Sequence, residues 1–272
     1  MSKKHFTSII SQKFGTFASK AFSPVVQHII NASYVKLMGL DMSEFREPSS
    51  YKTLNKLFTR ALEKPRALPT DTSLLLCGVD ARVSDAGTIT KGRAYQIKGM
   101  SYAIEGLFGS YHKEVVEKVE GGEFINFYLS PKDYHRYHIP TNLKVIKAVH
   151  IPGKFYPVNV PSLKKRLNLF IENERVVILC EATNGKRFYM VLVSALNVGV
   201  MQVAFEPKIQ TNASATTPQA YEFTDKLLDK GDDFGCFEMG STIIVLAEKD
   251  MLELDINIGE DVKFGQTIAK IK

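Results

Sequence analysis

Cysteine is scarce in this 272-residue chain. Cys77, Cys180 and Cys236 are odd in number, far apart and set among small or apolar neighbours, which argues against a disulfide framework or a Cys-x-x-Cys metal site and suggests a reducing compartment. Long hydrophobic runs are missing too. No stretch reaches the about 18 consecutive apolar residues of a spanning helix, and the N-terminus, despite Lys3 and Lys4, holds no uninterrupted apolar segment of signal-peptide length. The chain is therefore expected to be made in the cytoplasm and not to cross a bilayer. Internal repeats and low-complexity segments are absent, and so is a charge excess that would define a partner. The 35 basic and 29 acidic residues leave a formal +6, which suits an anionic surface without selecting between nucleic acid and membrane. What is present, 44% hydrophobic and 24% charged residues, suffices for one large globular core.

Periodicity divides the chain in two. Phe6, Ile9, Ile10, Phe14 and Phe17 recur near 3.6 residues with Lys3, Lys4, Lys13 and Lys20 around them, a basic amphipathic helix. Ser23 as N-cap and Pro24 at the first helical position announce a second helix bearing Val25, Val26, Ile29, Ile30, Val35, Leu37 and Met38. Both stripes are expected to pack on the protein's own core, with insertion into a lipid interface as the alternative. A third helix is expected over 54–62, and the pattern changes at Pro65, Arg66 and Pro69. From Leu74 onward the alternation has period two, with strands expected at 124–129, 143–150, 176–180, 188–193, 198–204 and 242–247. Turns are marked by Gly121-Gly122 and Asn184-Gly185, and a helix only at 102–107. The tail, 256–271, reads as strand-turn-strand, like the hairpins that carry biotin or lipoate. The expected class is α+β: residues 1–70 a helical, membrane-facing region, and 71–272 a mainly antiparallel β-sandwich or barrel-like catalytic domain.

Three segments could carry chemistry. Ser130-Pro131-Lys132-Asp133-Tyr134-His135-Arg136-Tyr137-His138-Ile139-Pro140 packs two histidines, an arginine and two tyrosines between prolines, and histidine is the side chain best poised to move protons near neutral pH. As a metal site the His-x-x-His spacing lacks a third ligand, and an extended backbone turns the two rings to opposite faces, so no metal is expected. Asp80, among Gly78, Val79 and Ala81, could orient a histidine. In Gly240-Ser241-Thr242 the serine hydroxyl could attack the carbonyl before it, where glycine offers no side chain to block the approach. The Gly-x-Ser-x-Gly elbow of α/β-hydrolases is absent around Ser241.

Taken in this order, the segments resemble the bacterial phosphatidylserine decarboxylases over most of the chain. Lys56-Leu57-Phe58-Thr59-Arg60 is similar to the family's Phe-Phe-Thr-Arg helix, Asp80 falls on the aspartate of its Pro-Ala-Asp-Gly segment, and Asn173-Glu174-Arg175 fits a third stretch. Tyr128 to Pro140 is close to its longest signature, and Gly240-Ser241-Thr242 matches its Leu-Gly-Ser-Thr processing site, with Met239 in place of leucine. Gly78, Val79 and Ala81 stand where the family has Pro, Ala and Gly. The resemblance implies self-cleavage between Gly240 and Ser241 by a triad of Asp80, His138 and Ser241, giving a large subunit (1–240) and a small one (241–272). Ser241 would become a pyruvoyl group that forms a Schiff base with phosphatidylserine, and His135 would reprotonate the α-carbon, releasing phosphatidylethanolamine and CO2. It further implies a peripheral enzyme on the cytoplasmic face of the cell membrane, held to anionic lipid, with no nucleic-acid partner; the oligomeric state stays open, a homodimer included. Three other readings stay open: a Ser/His/Asp hydrolase, a lipoyl- or biotinyl-like binding module, and a pyruvoyl enzyme acting on a soluble amino acid.

Overall fold

The computed structural model describes residues 6–112, 115–196, 200–209, 211, 217–238 and 241–272. Its first region is built on α1 (Phe6–Ser19), α2 (Pro24–Met38) and α3 (Leu54–Phe58). Pro24 occupies the first helical position, where a missing N–H costs nothing, and Gly39 closes α2 in the left-handed conformation at φ 67°. Ser23 precedes the helix as expected, but its side chain makes no capping bond. Helix α3 ends at Phe58 rather than at residue 62, and the chain then turns to carry Arg60 into the protein.

The second helix packs polar side inward. Gln27 donates to the Asn31 side-chain oxygen at 2.9 Å, and Asn31 donates to the carbonyls of Pro48 and Tyr51 at 2.9 Å each, so buried amides tie α2 to the turn that follows it. Ile30 and Val35 reach a small core around Tyr34, Leu57 and Phe58. Val25, Val26, Ile29, Leu37 and Met38, with Phe17 of α1, face solvent. The expectation that both stripes pack on the protein's own core thus fails for most of α2, because the inward positions are taken by amides that find their hydrogen bonds there.

The rest is mainly strand: β1 (Leu74–Leu76), β2 (Ala81–Thr88), β3 (Arg93–Ile97), β4 (Met100–Ala103), β5 (Glu123–Leu129), β6 (Arg136–His138), β7 (Leu143–Ile151), β8 (Arg175–Ala182), β9 (Arg187–Val193), β10 (Met201–Val203), β11 (Gln219–Leu228), β12 (Asp233–Phe237), β13 (Ser241–Ala247), β14 (Leu252–Leu254), β15 (Asp261–Val262) and β16 (Thr267–Ile271). Short helices α4 (Ile104–Phe108), α5 (Val115–Val119), α6 (Val160–Lys165) and α7 (Leu169–Glu172) fill the connections. Eight strands make one sheet in the order β11-β7-β8-β9-β13-β5-β2-β15, each pair antiparallel. The smaller sheets are β1-β16-β14, β10-β12-β6 and the β3-β4 pair. Strand β13 lies inside the large sheet and is buried along its whole length, which is why it reads as a continuous apolar run rather than an alternation.

Three expectations need correcting. The strand over 198–204 shrinks to β10, and residues 197–199 lie outside the described part. Tyr102 belongs to β4, so the helix begins at Ile104. The tail strands do not pair with each other: β15 pairs with β2, and β16 lies between β1 and β14. The backbone of Cys77 bonds both Gly265 and Gln266, putting an earlier segment where the hairpin partner would be. Among the described residues, no helix is long and apolar enough to cross a membrane.

Candidate active site

Strand register brings the candidate residues to one edge. Ile151, Arg175, Val193, Thr242, Tyr128, Arg82 and Asp261 stand opposite one another in a row across the large sheet. Ser241 opposite Leu129 lies one residue beyond that row, and Asp80 just before β2 and Ser130 just after β5 lie two beyond it on the same side. Gly78 lets the histidine segment approach: its carbonyl accepts the His138 backbone N–H at 2.8 Å, and a Cβ on it would meet the His138 carbonyl oxygen at 2.5 Å. A cleft of about 440 Å³ opens here, with Gly39, Glu44 and Phe45 of the helical region on one side and Asp80, Arg82, Tyr128, Ser130, Asp133, Tyr134 and Lys263 on the other.

Asp80 is held by a residue to which the sequence assigned no role. Arg66 donates from Nη1 to Oδ1 of Asp80 (2.6 Å) and from Nη2 to Oδ2 (2.8 Å), while Nε and Nη2 reach Glu44 at 2.8 and 2.7 Å and Nη1 also reaches the Phe264 carbonyl at 3.2 Å. All five N–H donors of the guanidinium are thereby used, four in two fork-to-fork pairs and the fifth on the Phe264 carbonyl. Phe264 completes the link. Its backbone N–H donates to Asp80 Oδ1 at 2.8 Å, and its ring stacks on the His138 imidazole with centroids 3.8 Å apart and planes 10° from parallel. Asp80 and His138 are therefore connected through Phe264, and neither's hydrogen bonds run directly to the other.

The two imidazoles are poised differently. His138 donates from Nδ1 to the Gly231 carbonyl at 3.1 Å, which leaves the Nε2 lone pair to accept the Tyr134 hydroxyl at 2.9 Å. Burial lowers its pKa. His135 donates from Nδ1 to the Asp133 carbonyl at 2.8 Å, and its Nε2 is buried with no partner. Phe58 of α3 covers the ring at 4.0 Å between centroids, and burial drives the pKa down to about 3, opposed by the Asp133 bond and aided by the Arg60 charge. His135 is thus a neutral ring with a bare basic nitrogen. Its carbonyl accepts the N–H of Phe237, which places it beside the segment leading to Ser241.

Ser241 is fully buried and its hydroxyl makes no hydrogen bond. Buried polar atoms without partners are rare in folded proteins, and here side-chain atoms of Arg60, Ser130, His135, Ser241 and Thr242 are all of that kind. Tyr51, Tyr102, Asn126 and His150 hold atoms of the same kind, so these five residues belong to a wider set. Gly240 and Met239 lie outside the described residues. Sequence reasoning named Asp80, His135, His138 and Ser241 but not Arg66, Glu44 or Phe264; the one available signal was an arginine between Pro65 and Pro69.

Comparison with known proteins bears on this site. The family model described as phosphatidylserine decarboxylase matches residues 54–270. The chain is 41% identical over 261 residues to the phosphatidylserine decarboxylase proenzyme of Helicobacter pylori (strain Shi470), covering 94% of this chain and 96% of that one. The proenzyme of Campylobacter jejuni is 37% identical over 271 residues, at 97% and 99% coverage, and that of Shewanella frigidimarina 34% over 288 residues, at 100% and 96%.

Proposed function

The chain belongs to the phosphatidylserine decarboxylase family, and from that premise we propose that it removes CO2 from phosphatidylserine after cutting itself before Ser241 and converting that serine to a pyruvoyl group. The observation that carries this reading is the buried, bond-free Ser241 hydroxyl amid other unsatisfied polar atoms. In maturation the Ser241 oxygen attacks the Gly240 carbonyl as its proton passes to His138, whose Nε2 Tyr134 must first release; the C–N bond breaks and an ester forms. Elimination across the serine Cα and Cβ frees Gly240 as a carboxylate, and water then replaces the nitrogen of the remaining dehydroalanine, which leaves as ammonia. Asp80, locked by Arg66, supplies a fixed negative charge beside Phe264 and the imidazolium that forms.

A pyruvoyl carbonyl supplies the electron sink that decarboxylation at an α-carbon requires and that no side chain provides. His135, with its bare Nε2, relays to the α-carbon the proton from water that replaces the departing CO2. The pieces 1–240 and 241–272 stay together after the cut, because β13 pairs with β5 and β9, β15 with β2 and β16 with β1.

A lipid substrate needs a site open to a bilayer. The outward Val25, Val26, Ile29 and Leu37 support membrane binding at the cytoplasmic face, as does the absence of any acidic residue before Asp41 in a segment with five lysines. The binding-module reading loses its hairpin, since β15 pairs with β2 and β16 with β1 and β14.

The test is the intact mass of the denatured wild-type protein. Expected are two species divided at Gly240/Ser241, the smaller lighter by one ammonia than simple hydrolysis would leave it, and one uncut species for Ser241→Ala. A single uncut chain from active wild-type protein would end the proposal. His138→Ala or Asp80→Ala should stay full length, whereas His135→Ala should cut but decarboxylate poorly, and full activity of that last variant would remove His135 from its role.

A further inference from the structure

Arg60 is only 2% exposed and lines the cleft beside Ser130, Asp133 and Tyr134. Its Nη2 donates to the carbonyls of Lys132 (3.0 Å) and Asp133 (3.3 Å), and its guanidinium lies 4.5 Å from the centroid of the Phe45 ring. Nε and Nη1 are buried and bond to nothing. Two carbonyls and an aromatic face ease the burial of a positive charge but do not neutralise it, and an unpaired buried charge is among the costlier features a fold can keep.

The carboxylates around the cleft are already engaged. Asp80 and Glu44 share Arg66, Asp261 faces Arg82 at 3.8 Å, and Asp41 and Asp133 accept the backbone N–H groups of Ser43 and Ser130. Arg60 forms no ion pair among the described residues and shares the Asp133 carbonyl with His135. It is a positive charge next to the proton-transfer residue with unused donors on two edges, Nε on one and Nη1 on the other, each able to donate to an oxygen of an anion.

Resting on the substrate class given above, we propose that Arg60 binds the phosphodiester of the phosphatidylserine headgroup. The headgroup has two anions, and the reaction decides between them. The carboxylate must leave as CO2 while its charge moves toward the electron sink, so a guanidinium held on it would stabilise the ground state more than the transition state. The phosphodiester keeps its charge throughout; binding it fixes the substrate without opposing the chemistry. Arg60 comes from the turn after α3, so headgroup recognition is supplied by the helical region to a reaction carried out at the sheet edge.

The experiment uses the full-length Ser241→Ala chain, which binds without turnover, and two soluble probes measured by calorimetry. Dihexanoyl phosphatidylethanolamine carries the phosphodiester without the carboxylate, and O-hexanoylserine carries the carboxylate without the phosphodiester. Arg60→Gln should weaken the first at least tenfold and the second less than twofold. Loss confined to O-hexanoylserine, equal loss of both, or no loss of either would overturn the assignment, as would failure of the phosphodiester probe to bind the parent chain. Folding is checked separately: Arg60→Gln with Ser241 intact should still cut itself, and if it does not, Arg60→Lys, which keeps the charge and loses the Nε donor, takes its place with a smaller loss of the same probe. The cut and the decarboxylation of the wild type are read independently, so an uncut wild type whose phosphodiester binding depends on Arg60 would sink the pyruvoyl reading and leave this one standing.

Discussion

Ile29 and Leu37 on α2 lie open to solvent, Leu37 at 80% exposure, while Ile243, Ile244 and Val245 on β13 are buried. Both segments are rich in apolar residues, yet one sends them out and the other in. Neighbouring strands on both sides and cover on both faces fix β13, so its sequence is accounted for within the protein. The second helix is held by Gln27 and Asn31, and its apolar side faces solvent. The large effects of substitution should therefore fall on stability in β13 and on surface binding in α2.

The sharpest test of the first half is Ile244→Ala. Truncating a fully buried side chain leaves a cavity as well as losing transfer energy, and about 2–5 kcal/mol of stability should go, measured by denaturant unfolding of the uncut Ser241→Ala chain. A loss under 1 kcal/mol would mean that the centre of the sheet is looser than its packing implies.

Next comes the contact that joins the regions. Glu44, from the segment after α2, and Asp80, at the sheet edge, grip one guanidinium. Arg66→Ala leaves Asp80 without its main partner and should slow self-cleavage roughly 100-fold, on the scale of removing one member of a partly buried pair. Glu44→Gln, at the more exposed end, should slow it only a few-fold, and Arg66→Lys should recover part of the Ala loss. Time courses of the cut followed by mass measure all three; unchanged rates in Arg66→Ala would show that Asp80 needs no fixing.

How far the sequence reached follows from the kind of signal each part carries. The strands β5, β7, β8, β9 and β13 are legible because sustained apolar runs of strand length admit few other readings. The exposed edge strand β11 and the short β3 are not, since neither shows a buried run. Asp80, His135, His138 and Ser241 stand out by residue type and company, whereas Arg66 and Glu44 are 22 residues apart and meet only through the fold. The inversion of α2 is invisible to periodicity for a related reason. A 3.6-residue stripe reports that one side is apolar without reporting which way that side points.

A smaller effect is expected from pH. Burial holds His135 to a pKa of about 3 in the folded protein, against about 6.5 when unfolded. Below pH 6.5 the unfolded chain takes up a proton that the folded one refuses, so the contribution is fully present above that value and is lost as pH falls toward 3, by up to about 1.4 kcal/mol per unit. Unfolding of the uncut chain at pH 4.5 and 6 should show this slope, and His135→Gln should flatten it. An equal slope in the variant would mean that other groups carry the pH dependence.

The smallest change in stability, and the one that bears most on the helical region, is expected from Leu37→Ser and Ile29→Ser. Both positions are exposed, so each should alter unfolding free energy by no more than about 0.5 kcal/mol. Their effect should appear on vesicles containing anionic lipid, where each replacement removes an apolar side chain from the interface, on the order of 1 kcal/mol or more, and should weaken partitioning several-fold. Turnover of a short-chain monomeric substrate should be unaffected, because neither residue lines the cleft. If the two variants bind vesicles as the parent does while losing stability, the outward side of α2 is covered by protein rather than lipid, and the contrast with β13 becomes one of assembly instead of membrane attachment.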